Sequence, residues 1–160
     1  VTGGDHERIT WALYEAVRWD PQRRLPPFEV LLQHPEIVRY YKGWGRPGDM
    51  GAIAERDGEF AGIAFCRLFT DDDHGYGYVD DTTPELAVAV SGPWRNRGIG
   101  TELIKGLAER ARLAGVKALS LSVDTDNRAR RLYERLGFRE VSVDQGGVLM
   151  LLGPGAVSRP

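Results

Sequence analysis

Six residues, Arg95-Asn96-Arg97-Gly98-Ile99-Gly100, stand between a short apolar run, Glu85–Val90, and a long amphipathic stretch over residues 98–114. A strand that feeds a helix through a glycine-rich turn leaves the helix N-terminus open. Its first backbone N–H groups are unpaired and the positive end of the dipole points outward, so the turn attracts phosphate. Glycine at 98 and 100 lets an anion approach without a Cβ in the way. Arg95 and Arg97 add charge at the rim, where a guanidinium grips phosphate oxygens in pairs. A pyrophosphate site on residues 95–101 is expected, and the competing reading is a merely tight turn with solvated arginines. Two familiar phosphate loops do not fit. Gly100 is followed by Thr101-Glu102 instead of Lys-Ser/Thr, and Leu103 stands where a dinucleotide fingerprint needs a small residue.

A second segment follows one helix and one strand later: Asn127-Arg128-Ala129-Arg130-Arg131-Leu132-Tyr133-Glu134-Arg135-Leu136-Gly137-Phe138. Asn127 is placed to cap a helix. Ala129, Leu132, Tyr133 and Leu136 share one face of it. Taken alone, Tyr133 reads as a core tyrosine with its hydroxyl bonded at the edge.

Around these segments the period of the apolar residues sets the order of elements. Residues 5–18 read as an amphipathic helix with Ile9, Leu13, Ala16 and Val17 inward. A second helical stretch, 28–41, is open to interruption at Pro35. Strands follow at 51–56 and 59–69, joined through Asp57-Gly58, and then a polar loop at 70–84. Glu85–Val90 is short and apolar enough for a strand buried on both faces. Next come a helix at 98–114 closed by Gly115, a strand at 117–123, a helix at 127–136 closed by Gly137, and strands at 138–143 and 148–152. The tail after Gly153 is expected to fray.

With 160 residues the chain has room for one domain with its own core. The net charge of -2 argues against a general nucleic-acid binder. Cys66 is the single cysteine, and His6, His34 and His74 lack metal-ligand spacing, so no metal is expected. Asp71-Asp72-Asp73-His74 fails the calcium-loop pattern and reads as a solvated loop. No apolar run approaches a membrane span and no signal peptide is visible, so a cytoplasmic protein without membrane contact is the expectation. The chain starts with Val1, which leaves a missing upstream piece open.

The two segments, in this order, resemble the GNAT superfamily of acyl-CoA-dependent N-acyltransferases. Its phosphate loop, Gln/Arg-x-x-Gly-x-Gly/Ala, is matched by Arg95, Gly98 and Gly100. Its later segment is matched by Asn127, Leu132, Tyr133, Glu134, Gly137 and Phe138, with Arg130 at the small-residue position and the alanine one place earlier. Gly92 stands where the family often has proline and Asn96 where it often has glycine. The usual first strand has no counterpart before the helix at Asp5.

The resemblance implies an α+β fold: a mixed, mostly antiparallel central sheet flanked by helices, with its first strand truncated or absent. It implies one domain over residues 1–160, with 1–49 as a helical acceptor side, 50–152 as the sheet and acyl-CoA core, and 153–160 as a tail. It implies a bacterial enzyme that moves an acetyl group from acetyl-CoA to a primary amine of a small molecule or a peptide. The pyrophosphate would lie on Arg95, Asn96, Arg97, Gly98, Ile99, Gly100 and Thr101, with Asn127 and Arg130 also touching the cofactor. The pantetheine arm would run beside β-like residues 86–90, its thioester carbonyl meeting a backbone N–H of Val88, Ala89 or Val90. Tyr133 would donate a proton or hydrogen bond to the departing sulfur. Glu85 is the first candidate for the base, with Asp80 and Asp81 next and water as an alternative. A non-catalytic acyl-CoA-binding module and a nucleotide-binding regulator are the competing classes. A homodimer is compatible with the sequence.

Overall fold

The computed structural model describes residues 3–144 and 146–153. After a short 3-10 turn, helix α1 spans His6–Val17, α2 Phe28–Leu32 and α3 Pro35–Tyr41. Strands β1 (Met50–Arg56), β2 (Glu59–Arg67) and β3 (Glu85–Val90) follow. Then come α4 (Ile99–Leu113), β4 (Leu119–Asp124), α5 (Ala129–Arg135), β5 (Arg139–Asp144) and β6 (Gly147–Leu152). The six strands form one sheet in the order β1-β2-β3-β4-β6-β5. Every neighbouring pair is antiparallel except β3 and β4. This is the expected mixed, mostly antiparallel architecture. Among the described residues no strand precedes α1.

Local chemistry explains the boundaries. Pro35 occupies the first turn of α3, where its missing N–H costs nothing, and holds His34 extended at φ -66°, ψ 129°. The helical stretch at 28–41 is therefore two helices. Asp57 and Gly58 both have positive φ, 54° and 78°, the requirement of a two-residue hairpin turn between β1 and β2. Gly115, at φ 83°, ends the α4 region, and the Val116 N–H returns to the Ala111 carbonyl at 2.9 Å. That closure delays β4 to Leu119, two residues after the expected start. β2 ends at Arg67, short of the expected 69, although Phe69 still folds back into the core. The buried stripe of α1 is Ile9, Ala12 and Leu13; Ala16, expected on it, is exposed. The expected tail lies outside the described residues from 154 onward.

Side-chain alternation along β2 and β3 divides the core in two. Ala64, Cys66 and Leu86 face α4, where Ile99, Leu103, Ile104 and Leu107 fill one cluster. Ile63, Phe65 and Ala89 face α1 and α3, where Ile9, Leu13 and Tyr40 fill the other. Packing is close at Gly62, where a Cβ would meet the Ala89 carbonyl oxygen of β3 at 2.7 Å and the Leu103 side chain of α4 at 3.2 Å.

Candidate active site

The sheet is incomplete between β3 and β4. Their pairing consists of Glu85 against Ser120, with the Ser120 N–H donating to the Pro84 carbonyl at 3.0 Å. β3 continues to Val90 and β4 to Asp124, yet no further rungs join them. Backbone groups of alternate residues point to opposite sides of a strand. Pro84 faces β4 and the Ser91 N–H reaches Ala61 of the β2 side, so the N–H groups of Val88 and Val90 point into the gap. Ala89 turns its own N–H toward β2 and its methyl toward α1.

The 95–101 turn closes the far end of β3. Asn96 and Gly98 have φ of 60° and 83°, so the backbone reverses sharply just before α4. The first helical bond of α4 is Glu102 N–H to Gly98 C=O at 3.1 Å, which leaves the N–H groups of Ile99, Gly100 and Thr101 outside the helical ladder. A Cβ at Gly98 would meet nothing within 4 Å, so its glycine serves the left-handed backbone. Gly100 is not in that region, and a Cβ there would sit 3.4 Å from Leu132. The arginines are arranged differently from the sequence expectation. Arg95 donates to the Val90 carbonyl at 3.0 Å and pairs with Glu15 of α1 at 2.6 Å. Arg97 lies over the Trp94 ring at 5.2 Å.

Tyr133 comes from α5 and packs with Phe138, ring centroids 5.8 Å apart, on the α4 side of the sheet. Ala129, Leu132 and Leu136 pack in the same cluster, as the sequence face implies. Among the described residues no protein group bonds its hydroxyl. Burial pushes its pKa up to about 12, and it stays protonated at neutral pH. Asn127 accepts the Ala129 N–H at 2.9 Å and secures the start of α5. Arg130 is paired with Glu134 at 3.0 Å and Glu140 at 2.8 Å. Thr125, Asn127, Arg130 and Arg131 line an open cleft of about 470 Å³ at this end of the sheet.

Glu85 opens β3 on the α1–α3 face and is 5% exposed. Tyr40 of α3 donates to its Oε1 at 2.7 Å, while Oε2 is a buried oxygen with no partner. Burial raises this carboxyl to about 7, despite the opposing hydrogen bonds from Tyr40 and the Gly77 backbone. The loop before β3 lies on top of it. A Cβ at Gly75 would come within 2.5 Å of Oε2 and 1.9 Å of the Tyr40 hydroxyl oxygen, and one at Gly77 within 2.7 Å of the Glu85 Cδ. These two glycines are required for close approach. Asp80 and Asp81 are exposed; hydrogen bonds from Thr82 hold Asp80 below the usual carboxylate range, and Asp81 accepts from the Tyr78 hydroxyl. Of the three carboxylates weighed from sequence, only Glu85 is buried.

Three features were missed in the sequence. Arg67, an apparent strand-end residue, is fully buried and forks onto Asp49 at 2.9 and 2.7 Å. Gly75 and Gly77 flank a tyrosine just upstream of Glu85, a spacing that signalled close approach. The third is the segment after α1, where Trp19 and Arg23 both donate to Asp124 at the end of β4. Most of the N-terminal aromatics pack edge to face: Trp11 on Phe60, Tyr14 on Phe28, Tyr40 on Phe69 and Trp44 on Phe65.

Known structures share this fold. PaiA N-acetyltransferase from Thermoplasma acidophilum, solved in complex with coenzyme A, superposes with a TM-score of 0.70 at 13% identity, covering 96% of this chain and 95% of that one. The yncA protein of Salmonella typhimurium, solved with acetyl-CoA, has a TM-score of 0.64 at 20% identity, covering 100% and 92%. At the sequence level, L-2,4-diaminobutyric acid acetyltransferase of Streptomyces coelicolor is 32% identical over 133 residues, 69% of this chain and 78% of that protein. Residues 11–138 match the acetyltransferase (GNAT) family. The chain belongs to that family and is an acetyl-CoA-dependent acyltransferase. Among the described residues no helix is long and apolar enough to cross a membrane.

Proposed function

We propose that the chain is an N-acetyltransferase for a primary amine of a small molecule or peptide, in one domain whose first 49 residues wall the acceptor side. The observation that carries this reading is the unpaired β3 edge, which lies between the open N-terminus of α4 and the buried Glu85. The relative named for L-2,4-diaminobutyric acid supports a small amine over a peptide.

Each residue then has one task. The N–H groups of Ile99, Gly100 and Thr101 face the pyrophosphate, with Arg97 at the rim and Asn127 and Arg130 at the outer end of the cofactor. The backbone from Val88 to Val90 lies along the pantetheine arm, and the N–H of Val88 or Val90 meets the thioester oxygen and stabilises it as charge develops. The amine nitrogen attacks the thioester carbon, the carbon–sulfur bond breaks, and the proton lost by the amine passes to Glu85 directly or through water. Ala87 and Ala89 share the face of Glu85 and leave room there for the acceptor. Tyr133 hydrogen-bonds the departing sulfur. With its pKa near 12, against about 8.5 for an ordinary thiol, it acts as a donor of a hydrogen bond and not of the whole proton.

Coenzyme A at about 100 times its Kd should stabilise the fold by about 2.7 kcal/mol, read as a rise in melting temperature. A screen of amines for thiol release identifies the acceptor. With that acceptor, Tyr133→Phe removes one hydrogen-bond donor to the developing charge and is expected to lower kcat by about 10²-fold, leaving the acetyl-CoA KM and the melting temperature nearly unchanged. Wild-type turnover in this variant would return Tyr133 to a packing role.

A further inference from the structure

We propose that Tyr40 is a positioning residue for Glu85, and that the buried Arg67–Asp49 pair holds Tyr40 in place. The inference rests on Glu85 being the base of the proposed reaction, and it concerns residues that neither family motif contains. Tyr40 bonds one carboxyl oxygen of Glu85 at 2.7 Å and accepts the Tyr76 N–H at 3.0 Å, so a single hydroxyl ties the carboxyl to the loop above it. With Oε1 so held, Oε2 is the carboxyl oxygen left without a partner, beneath Gly75.

Arg67 lies directly across the β2–β3 ladder from Glu85, and opposed residues of an antiparallel pair share a face. A bare arginine there would turn Glu85 into a permanent carboxylate. Instead its charge is spent on Asp49, itself 1% exposed, and on the carbonyls of Arg39 and Lys42 at 2.9 Å each. Those two carbonyls bracket Tyr40 at the C-terminus of α3. Arg67 therefore grips the helix end that carries Tyr40 while its own field is cancelled. The remaining charged or titratable groups near Glu85 are Arg39 and Glu36 on α3 and His74 and Asp73 on the loop; β4 offers Ser120, which is neutral. Arg39 is already paired with Asp73 and bonded to the His74 carbonyl. Among the described residues Tyr40 is thus the one side chain that bonds the Glu85 carboxyl.

The test follows the Glu85 carboxyl by 13C NMR in full-length protein labelled at glutamate, with Glu85→Gln identifying the resonance. Tyr40→Phe keeps the ring against Phe69 and removes a hydrogen bond that favours the charged form. Its Glu85 midpoint is expected to rise by about one pH unit, and the acid limb of kcat to rise with it. The acetyl-CoA KM should stay within about twofold, because the cofactor edge is untouched. Arg67→Lys keeps the charge on Asp49 but loosens the grip on α3, and it should move the midpoint in the same direction by less. An unmoved midpoint in folded Tyr40→Phe overturns the proposal; should that variant fail to fold, an unmoved midpoint in Arg67→Lys does so. Full turnover in Glu85→Gln defeats the assignment of Glu85 as base instead, and is distinguishable because the NMR midpoints do not depend on it.

Discussion

The half of the sheet made by β1, β2 and β3 lies between α4 on one face and α1–α3 on the other, whereas β6, β5 and the part of β4 beyond the buried Ser120 are covered mainly on one face. The difference shows in single strands. Ile63, Ala64, Phe65 and Cys66 of β2 are all buried in succession. In β6 burial alternates residue by residue, and every residue of β5 is exposed, Val141 at 52% and Val143 at 54%. Buried charge follows the opposite order from intuition. Arg67, Asp49 and Glu85 all sit in the enclosed half, and the ion pairs of the other half, such as Arg130–Glu140, are partly exposed. A buried charge is tolerated where every hydrogen-bonding group is matched, as at Arg67, or where the group neutralises itself, as Glu85 does near neutrality.

Three measurements break or sharpen this comparison. Arg67→Met removes the fork on buried Asp49 and leaves it the Gly45 and Arg46 N–H groups and the longer Arg46 pair at 3.9 Å, and should cost about 3 kcal/mol in urea unfolding. A loss no larger than that of a β5 substitution would remove the distinction between the halves. Glu85 gives a smaller effect with a definite sign. Its folded pKa of about 7 lies above its ordinary 4.5, so in that window the unfolded chain has released a proton that the folded chain keeps. Stability therefore falls as pH rises from 4.5 to 7 and levels off above. The full contribution is about 3 kcal/mol at most. Glu85→Gln should abolish that slope, read by urea unfolding at about pH 5 and about pH 8. The smallest effect belongs to the open half: Val143→Thr should stay within about 0.5 kcal/mol of wild type.

The same contrast governs what could be read from the sequence. β3 and the α4 stripe of Ile99, Leu103, Leu107 and Ala111 were legible because apolar periodicity reports burial. The 95–101 turn and the α5 face were legible because glycine and asparagine mark backbone geometry. Arg67 was not, because an arginine at the end of an apolar run usually marks a strand leaving the core. Its partners, Asp49 and the carbonyls of Arg39 and Lys42, are 18 to 28 residues away. The placement of Arg95 on Glu15 was equally hidden, since 80 residues separate them. Charge complementarity between distant segments leaves no period behind, so sequence supplied the frame of the site and tertiary contacts supplied its electrostatics.

The end of α1 has a mechanical consequence. Glu15 is anchored through Arg95 to the lip of the gap formed by β3, and Trp19 and Arg23 are anchored through Asp124 to the lip formed by β4. The opposite end is fixed by the Glu85–Ser120 rung. The opening therefore behaves as a slot clamped at both ends and not as a free fork. Its width is set by the stiffness of a side-chain tie at one end and of a backbone rung at the other. Side-chain ties thus close the end nearest the phosphate-type turn, and backbone hydrogen bonding closes the other.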